Sequence, residues 1–360
     1  MRTLYQEVEK RIKKVPLERL WDGFQCFPFA LYNSNTVFFQ DREITTDERF
    51  IANTCIEFEG QYIAIWNVEM DAIDDPDILA ANIIHEMFHA FQREQGEKRY
   101  VNDLIMLSYP NDVLNYQYKH AENQFLIKAL KASSVAEKKE MLQQMVSIRL
   151  KRAKQIGTMI QNEFLVETIE GAAEFVGTLS LKYINSNKYE ERIHNYIEMI
   201  REPREDLFNI RKLSYFTGTL YLIALTETNI LFEQNLKTES SIYETTLTYF
   251  SECDVEVDIE QSKSIQAEYE AYVIKKKNEW KSFFQLPVQK VEMNSRIVGY
   301  DPMNMVKVEN QILCKHFVIL KNEEEEVFFK GPLVIELKES TYNEVIAYYL
   351  PEEVNKSETK

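Results

Sequence analysis

Apolar positions recur with a helical period along much of the chain and predict long helices. Residues 3–20 follow this period with a basic, exposed face. Asp75 precedes Pro76, which places a capping carboxylate directly before a proline at the first helical position. We expect this helix to run from Pro76 to a stop at Gly96, because glycine commonly ends a helix.

More helical segments follow downstream. The sequence Ser134-Val135-Ala136-Glu137 has the form of a capping box and predicts the start of a helix. Few helix breakers occur before Asn185, and a helix of that length would be unusual. We therefore expect a break near Gly157 or Asn162. Helical patterns predict separate helices in four further segments: 112–132, 167–183, 189–247 and 258–284.

Alternating apolar and polar residues predict strands in two places. The stretch 54–70 is rich in β-branched and aromatic residues, with Gly60 in its middle, and predicts a strand pair or a bulged strand. After Pro287, short β-branched segments separated by turn residues predict a small antiparallel β module at 286–350, followed by a disordered tail at 351–360. The predicted fold class is α+β and predominantly α-helical, with a small sheet next to the proline-capped helix.

Composition narrows the fold further. Glycine and proline number nine each, so together they make 18 of 360 residues, or 5%, against about 12% in average proteins. So few turn formers exclude collagen, Pro-rich disorder and a many-turned β-sandwich or propeller. The four cysteines lie far apart without CxxC spacing, which is typical of buried thiols in a reducing compartment.

Charge and hydropathy limit the partners. The formal net charge of −16 and the lack of a dense lysine or arginine stripe argue against nucleic acid as a partner. Residues 1–20 contain no long apolar run, and no stretch of 18 apolar residues occurs later, so we expect neither a signal peptide nor a membrane span. We therefore expect a soluble cytoplasmic protein with no membrane partner.

The strongest chemical signal is the HExxH pattern of His85-Glu86-Met87-Phe88-His89. Histidines four residues apart present their imidazoles on one helical face, about one turn apart, a spacing that suits one tetrahedral zinc ion. Glu86 points to the side, from where it can reach a water on the metal and act as a general base. Apolar residues on the same helix would bury it, which favours metal binding over an unpaired histidine pair.

A third ligand must come from elsewhere, because no histidine follows at the short HExxHxxGxxH spacing and a catalytic zinc normally has three protein ligands. Glu170 is the best downstream candidate, since Gly171 and Ala172 beside it are small enough for two helices to approach closely. Glu163 and Glu167 are competing candidates without such small neighbours.

The downstream segment also contains Glu174, which shares a helical face with Glu170 and can fix the tautomer of a ligating imidazole by accepting a hydrogen bond. Together, HEMFH and EGAAEF resemble the motifs of the gluzincin zinc metallopeptidases, including thermolysin-like enzymes and zinc aminopeptidases. Phe175 stands where these families often have tyrosine. The resemblance implies that His85, His89 and Glu170 are the ligands of one zinc ion per chain. It further implies that Glu86 is the general base and that Glu174 is the hydrogen-bond partner of a ligand.

The resemblance extends to Tyr215 and Gly218, which are similar to a Tyr-x-x-Gly helix start in zinc aminopeptidases. It implies that Tyr215 donates to the oxyanion, although most of the 20 tyrosines are expected to fill core or surface positions. Residues 57–68 fall where these families have an edge strand that pairs with substrate. The implied catalytic domain spans 1–285, with an inserted helical hairpin at about 110–160.

Three functions fit these residues. The leading hypothesis is a zinc-dependent peptidase that hydrolyses a peptide or protein substrate with a metal-activated water and a glutamate base. The alternatives are a zinc-binding but non-catalytic regulatory or interaction protein, and a metal hydrolase of non-peptide amides or esters. The intact Glu86 weighs against the non-catalytic alternative, since a structural zinc site needs no carboxylate at that position.

The other three histidines are predicted to be structural. His120 and His194 lie in charged helical stretches and are expected to face solvent, whereas His316 lies on a predicted β segment. His120 directly precedes Ala121-Glu122, so an active-site role for either is an alternative that stays open without further support.

Overall fold

The fold is described by a computed structural model that covers residues 1–110, 112–257 and 260–352. These residues are 51% helical and 20% strand, so the protein is mixed α+β and mostly helical, as the sequence predicts. Of the described helices, none is both long enough and apolar enough to pass through a membrane. Of the tail predicted at 351–360, only Pro351 and Glu352 lie within the described residues.

The described residues form two compact units. The first comprises Met1–Tyr100, Tyr118–Leu207 and Arg211–Val257, and the second comprises Val101–Gln117, Phe208–Ile210 and the described residues after 257. All the predicted site residues lie in the first unit. The division into domains at 285 stays a prediction.

Helices are numbered in chain order. They are α1 (Arg2–Ile12), α2 (Leu17–Leu20), α3 (Pro76–Glu94), α4 (Asp103–Met106), α5 (Val113–Lys131), α6 (Val135–Ile156), α7 (Met159–Val166), α8 (Ala172–Ile184), α9 (Ser186–Arg201), α10 (Ile210–Glu227), α11 (Ile242–Thr246) and α12 (Glu260–Phe283). A π-helical turn, Glu167–Gly171, joins α7 to α8, and short 3₁₀ turns cover Glu205–Phe208, Leu247–Tyr249 and Pro302–Asn304.

Local sequence signals set the ends of α3. The Asp75 carboxylate accepts hydrogen bonds from the backbone N–H groups of Asp77 and Ile78, and Pro76 occupies the first helical position. The helix ends at Glu94, just before Gly96, which has a φ of +78° and so adopts the left-handed conformation that glycine tolerates best. The predicted start and stop of this helix are confirmed.

The long helical segment after α5 also begins and breaks where its sequence predicts. Ser134 and Glu137 form both hydrogen bonds of a capping box at the start of α6. The helix ends at Ile156, and Gly157 has a φ of +62°. The break at Gly157 is therefore confirmed, and α5 and α6 occupy the region predicted as a helical hairpin.

The π-helical turn Glu167–Gly171 has no counterpart in the sequence prediction. A π turn closes i→i+5 hydrogen bonds and is wider than an α turn, so successive residues rotate by less than the roughly 100° of an α-helix. Side chains three residues apart then diverge more than they would in an α-helix. Glu167 and Glu170 accordingly face different partners, Arg149 for the former and His89 for the latter.

The π turn also contacts a cluster of buried charges through Glu167. The ionic cluster has three cations and three anions, each at most 5% exposed: Lys119, Glu122, Arg149, Arg152, Glu163 and Glu167. Arg149 bridges Glu122 and Glu167, with nitrogen-to-oxygen distances of 2.5 and 2.7 Å. Arg152 bridges Glu122 and Glu163 at 2.6 and 2.7 Å. These pairs link α5, α6 and α7 to the π turn.

The charges in the ionic cluster stabilise one another. Burial alone would raise the pKa of Glu122, but Arg149, Lys119 and Arg152 outweigh it and lower that pKa to about 2. The Arg149 guanidinium also lies 4.7 Å from the ring centroid of Tyr243, within the range of a cation–π contact. The cluster is therefore charge-balanced, and Arg149 has an aromatic ring beside it.

A five-stranded sheet in the first unit lies beside α3. Its strands are β1 (Phe29–Tyr32), β2 (Thr36–Phe39), β3 (Arg42–Thr45), β4 (Thr54–Phe58) and β5 (Gln61–Asn67). Their order is β3-β2-β1-β5-β4; β1 and β5 pair in parallel and the other neighbours are antiparallel. The strand pair predicted within 54–70 is confirmed as β4 and β5, which pack against α3.

The second unit contains a seven-stranded antiparallel sheet where the sequence predicts the β module. Its strands are β6 (Val288–Tyr300), β7 (Met305–Val308), β8 (Gln311–Cys314), β9 (Phe317–Lys321), β10 (Glu326–Lys330), β11 (Leu333–Leu337) and β12 (Glu344–Pro351). Their order is β10-β9-β6-β12-β11-β8-β7. Leu104 and Leu107, from the early part of the chain, pack into the core of this sheet.

Candidate metal centre

Two imidazoles on α3 and one carboxylate on the π turn lie close together. The Nε2 atoms of His85 and His89 are 3.1 Å apart. Glu170 Oε2 lies 3.2 Å from His89 Nε2 and 3.9 Å from His85 Nε2. The ligand atoms of these residues all lie within 4.8 Å of one another, so this group can hold a metal ion.

The structure separates Glu170 from the competing ligand candidates. Glu163 and Glu167 belong to the ionic cluster, where Arg152 and Arg149 hold their carboxylates. Glu170 is the only one of the three that the structure brings to the histidines, because the π turn directs it towards α3. The three glutamates thus differ in the direction of their side chains. The size of the neighbouring residues in the sequence does not indicate that direction.

The glycine that lets α3 approach α8 is Gly177, and not Gly171 as expected. A Cβ atom on Gly177 would lie 2.8 Å from the carbonyl oxygen of Ala81 and 3.2 Å from the Cβ of His85. Gly171 instead contacts α10, where its Cβ would lie 2.8 Å from the Cα of Gly218. Gly171 therefore serves a different helix contact from the one predicted.

Replacing Gly177 with alanine is expected to weaken metal binding and lower the free energy of unfolding. The added methyl group collides with backbone that cannot rotate away, so α8 must move off α3, at a cost of about 1–3 kcal/mol. Equilibrium denaturation and a zinc competition titration measure the two effects. Gly157→Ala is the control, since Gly157 has positive φ but nothing within 4 Å of an added Cβ. Gly157→Ala should lower stability and leave zinc affinity unchanged. If Gly177→Ala bound zinc as tightly as the unmodified protein, the contact between α3 and α8 at Gly177 would not be needed for metal binding.

Glu174 contacts the Nδ1 side of the His85 ring. Its Oε2 lies 2.9 Å from His85 Nδ1, and its Oε1 accepts a hydrogen bond from the hydroxyl of Tyr196. Arg192 lies 3.5 Å from the same oxygen. Burial favours a higher pKa for Glu174, but the contacts with His85 and Arg192 outweigh it and lower the pKa to about 2. The carboxylate is therefore ionised and accepts from Nδ1, which directs Nε2 of His85 towards Glu170.

The electrostatic field of the surrounding carboxylates favours positive charge at the candidate metal centre. Burial works against a protonated His85, yet Glu174, Glu86 and Glu170 outweigh it and raise the pKa of His85 to about 9. Burial likewise favours the neutral form of Glu170, but the charges of His89 and Arg211 lower its pKa well below the ordinary value. Buried carboxylates that attract protons in this way would also attract a divalent cation.

Glu86 lies on the wall of a cleft beside the histidines. The cleft has a volume of about 600 Å³, and the lining includes His85, Glu86, Glu174 and Tyr215 together with Trp66 and Asn82. Glu86 is 8% exposed. Its pKa is raised because burial disfavours the charged carboxylate more than the neighbouring histidines favour it. A carboxylate with raised proton affinity next to a cleft has the properties of a general base.

Tyr215 lies beside the candidate ligands. Its ring is parallel to that of His85, with centroids 6.1 Å apart. Arg211, one helical turn earlier, donates to the Tyr215 hydroxyl at 3.0 Å and to Glu170 Oε1 at 3.1 Å. Burial and the Glu170 carboxylate raise the pKa of Tyr215 well above its usual value, so the phenol keeps its proton.

Arg211 and Gln92 also contact the candidate site residues, although the sequence patterns did not indicate them. Gln92 contacts His89, three residues earlier on α3, and Arg211 precedes Tyr215 by four residues on α10. Both therefore share a helical face with a residue that the sequence singled out. A polar residue at that spacing is the signal that would have identified them.

The edge strand lies earlier in the chain than expected. Residues 57–68 were predicted as an edge, but β5 (Gln61–Asn67) is interior, between β1 and β4. The edge strand beside α3 is β4 (Thr54–Phe58), so only Glu57 and Phe58 of the predicted range lie on it. Gly60 lies in the turn between β4 and β5, where its φ is +77°. The predicted range therefore covers parts of two strands.

The prediction for one of the remaining histidines is wrong. His120 was expected to face solvent, but it is only 5% exposed, because it lies on a buried part of α5 next to Lys119 of the ionic cluster. His194 is exposed, as expected. His316 lies between β8 and β9 and contacts Asp301 at 2.8 Å. His120, His194 and His316 are not part of the candidate metal centre.

The chain matches no protein-family model, no curated protein and no solved structure.

Proposed function

We propose that this protein is a zinc-dependent peptidase of the gluzincin type, with His85, His89 and Glu170 as zinc ligands. The observation that carries the proposal is the convergence of two imidazole nitrogens and one carboxylate oxygen within 4.8 Å, next to a cleft with Glu86 on its wall. The HExxH pattern and the downstream glutamate supply these donors from two separate segments of the chain.

The donor set suits zinc. Two imidazoles and one carboxylate are the protein ligands of many catalytic zinc sites, which keep a fourth position open for water or substrate. Glu174 accepts from His85 Nδ1 and so supplies the outer contact that orients a ligating histidine. When bound, zinc supplies a Lewis acid that polarises a carbonyl group and lowers the pKa of water to about 7.

The chain's own side chains perform the proton transfers in this proposal. The Glu86 carboxylate takes the proton of the attacking water and passes it to the leaving amine. Tyr215 donates its O–H to the oxyanion that forms at the scissile carbonyl. Arg211 supports this role, because a guanidinium can only donate and therefore occupies a lone pair of the phenol oxygen. The O–H has a hydrogen bond with Glu170, and the phenol would exchange that bond for one to the oxyanion.

The substrate in this proposal is an extended peptide. β4 is an edge strand of a sheet that packs against α3, and an extended peptide can add to such an edge through backbone hydrogen bonds. Trp66 and Ile78 offer apolar contacts in the cleft, and Asn82 and Asn195 offer hydrogen bonds.

Metal removal tests the proposal. The purified protein is expected to contain one zinc per chain and to cleave members of a mixed peptide library. Exhaustive chelation should abolish cleavage and one equivalent of zinc should restore it. His89→Ala is expected to lose zinc, whereas His194→Ala, which changes an exposed histidine on α9, should keep it.

Two outcomes would contradict this proposal in different ways. Cleavage that survives complete chelation would show that the metal is not required. One bound zinc without cleavage of any peptide would leave the metal centre in place and replace the peptidase by a non-catalytic or non-peptide function.

A further inference from the structure

Gln92 is a polar side chain with no solvent exposure beside the candidate metal centre. It follows His89 by three residues on α3, so both side chains lie on one face of the helix. Burying an amide is costly unless its oxygen and nitrogen both find partners. The partners of Gln92 therefore indicate what it does.

The Gln92 amide joins the two segments that carry the candidate ligands. Its Nε2 donates to the backbone carbonyl of Ile169 at 3.1 Å, and its Oε1 lies 2.7 Å from Nδ1 of His89. Ile169 lies in the π turn, directly before Glu170. One side chain on α3 thus contacts both a histidine of HExxH and the backbone that carries the third ligand.

These contacts fix the proton on His89. A carbonyl oxygen can only accept, so the amide nitrogen must face Ile169 and the amide oxygen must face His89. An amide oxygen also only accepts, so Nδ1 of His89 carries the proton. In the neutral imidazole, which is the form that binds a metal, the lone pair then lies on Nε2, the atom 3.2 Å from Glu170 Oε2.

We propose that Gln92 is a positioning residue for the metal centre, which selects the His89 tautomer and sets the distance between α3 and the π turn. The inference rests on the proposed metal site. Gln92 does for His89 what Glu174 does for His85, but without adding a charge to a centre that already contains Glu86, Glu170 and Glu174. It also ties Glu170 to the histidines through the backbone of its neighbour.

Zinc affinity of the full chain tests this role. Gln92→Met keeps the length of the side chain and removes both hydrogen bonds. It is expected to weaken zinc binding by about 10- to 100-fold, the usual effect of losing an outer contact to a ligand. Competition with a chromogenic chelator measures the dissociation constant, and the visible spectrum of the cobalt-substituted protein should change with the orientation of His89. Gln6→Met, at an exposed position on α1, is the matched control and should leave both unchanged.

A second variant separates positioning from packing. Gln92→Glu retains an oxygen that can accept from His89 and, in its protonated form, an O–H that can donate to Ile169. It is expected to recover most of the zinc affinity lost in Gln92→Met. Thermal unfolding of both metal-free variants shows whether each is folded.

The outcomes distinguish this inference from the proposed function. If the unmodified protein binds no zinc, the metal centre itself is wrong. If it binds zinc and Gln92→Met binds it equally tightly with an unchanged cobalt spectrum, Gln92 has no positioning role and the proposed function stands. A loss of thermal stability with unchanged zinc affinity would likewise reduce Gln92 to a packing residue.

Discussion

Glu86→Gln is expected to lower kcat for peptide hydrolysis by about 10²- to 10⁴-fold while the bound zinc stays at one per chain. The amide has the shape of the carboxylate but cannot take a proton from water. Glu86 lies on the cleft wall beside His85, and burial raises its pKa, so its loss removes a group with the position and proton affinity of a base. Steady-state kinetics with a cleaved library peptide, together with metal analysis, measures both quantities.

Glu94→Gln is the matched control for this experiment. Glu94 is the last residue of the same helix, exposed and away from the cleft. The same chemical change there should leave kcat unchanged. Undiminished hydrolysis by Glu86→Gln would refute the role of Glu86, and loss of zinc from that variant would indicate that Glu86 supports the ligands.

Arg149→Met is expected to destabilise the protein by about 3–5 kcal/mol, because the buried carboxylates of Glu122 and Glu167 both lose a close cation. Arg149 is not exposed, and it bridges Glu122 and Glu167 inside the ionic cluster. Methionine fills much of the same volume but supplies none of the five guanidinium donors. Equilibrium unfolding in urea, followed by circular dichroism, measures the change.

Lys154→Met, on the same helix α6, provides the comparison. Lys154 forms an ion pair with Glu252 in which both side chains are largely exposed, at 68% and 49%, so water compensates for its loss. Its removal should hardly alter the unfolding midpoint. Equal stabilities of the two variants would show that the buried pairs contribute no more than surface pairs do.

Features with a local cause could be predicted from the sequence. Asp75 and Pro76 begin α3, Gly157 ends α6, and Ser134 with Glu137 caps the same helix, because each signal acts within one turn of the backbone. The HExxH spacing likewise places two imidazoles together whatever the rest of the fold does.

Features that depend on distant parts of the chain could not be predicted in this way. The π turn at Glu167–Gly171 has no local signature, and it exists beside Arg149, which lies 18 residues earlier in the chain. The burial of His120 and the helix contact made by Gly177 also depend on which surfaces meet in the folded state. A charged segment that packs onto opposite charges looks, in sequence, like a solvent-facing helix.

The contact between Gly171 and Gly218 has a mechanical consequence. With no side chains between them, the backbone of the π turn lies directly against α10, and an added Cβ on either glycine would come within 3 Å of the other segment. Glu170 is next to the first glycine, and Tyr215 is one turn before the second. The candidate third ligand and the phenol should therefore move as one rigid piece. A substrate that displaced α10 would shift both groups together and leave their mutual spacing intact.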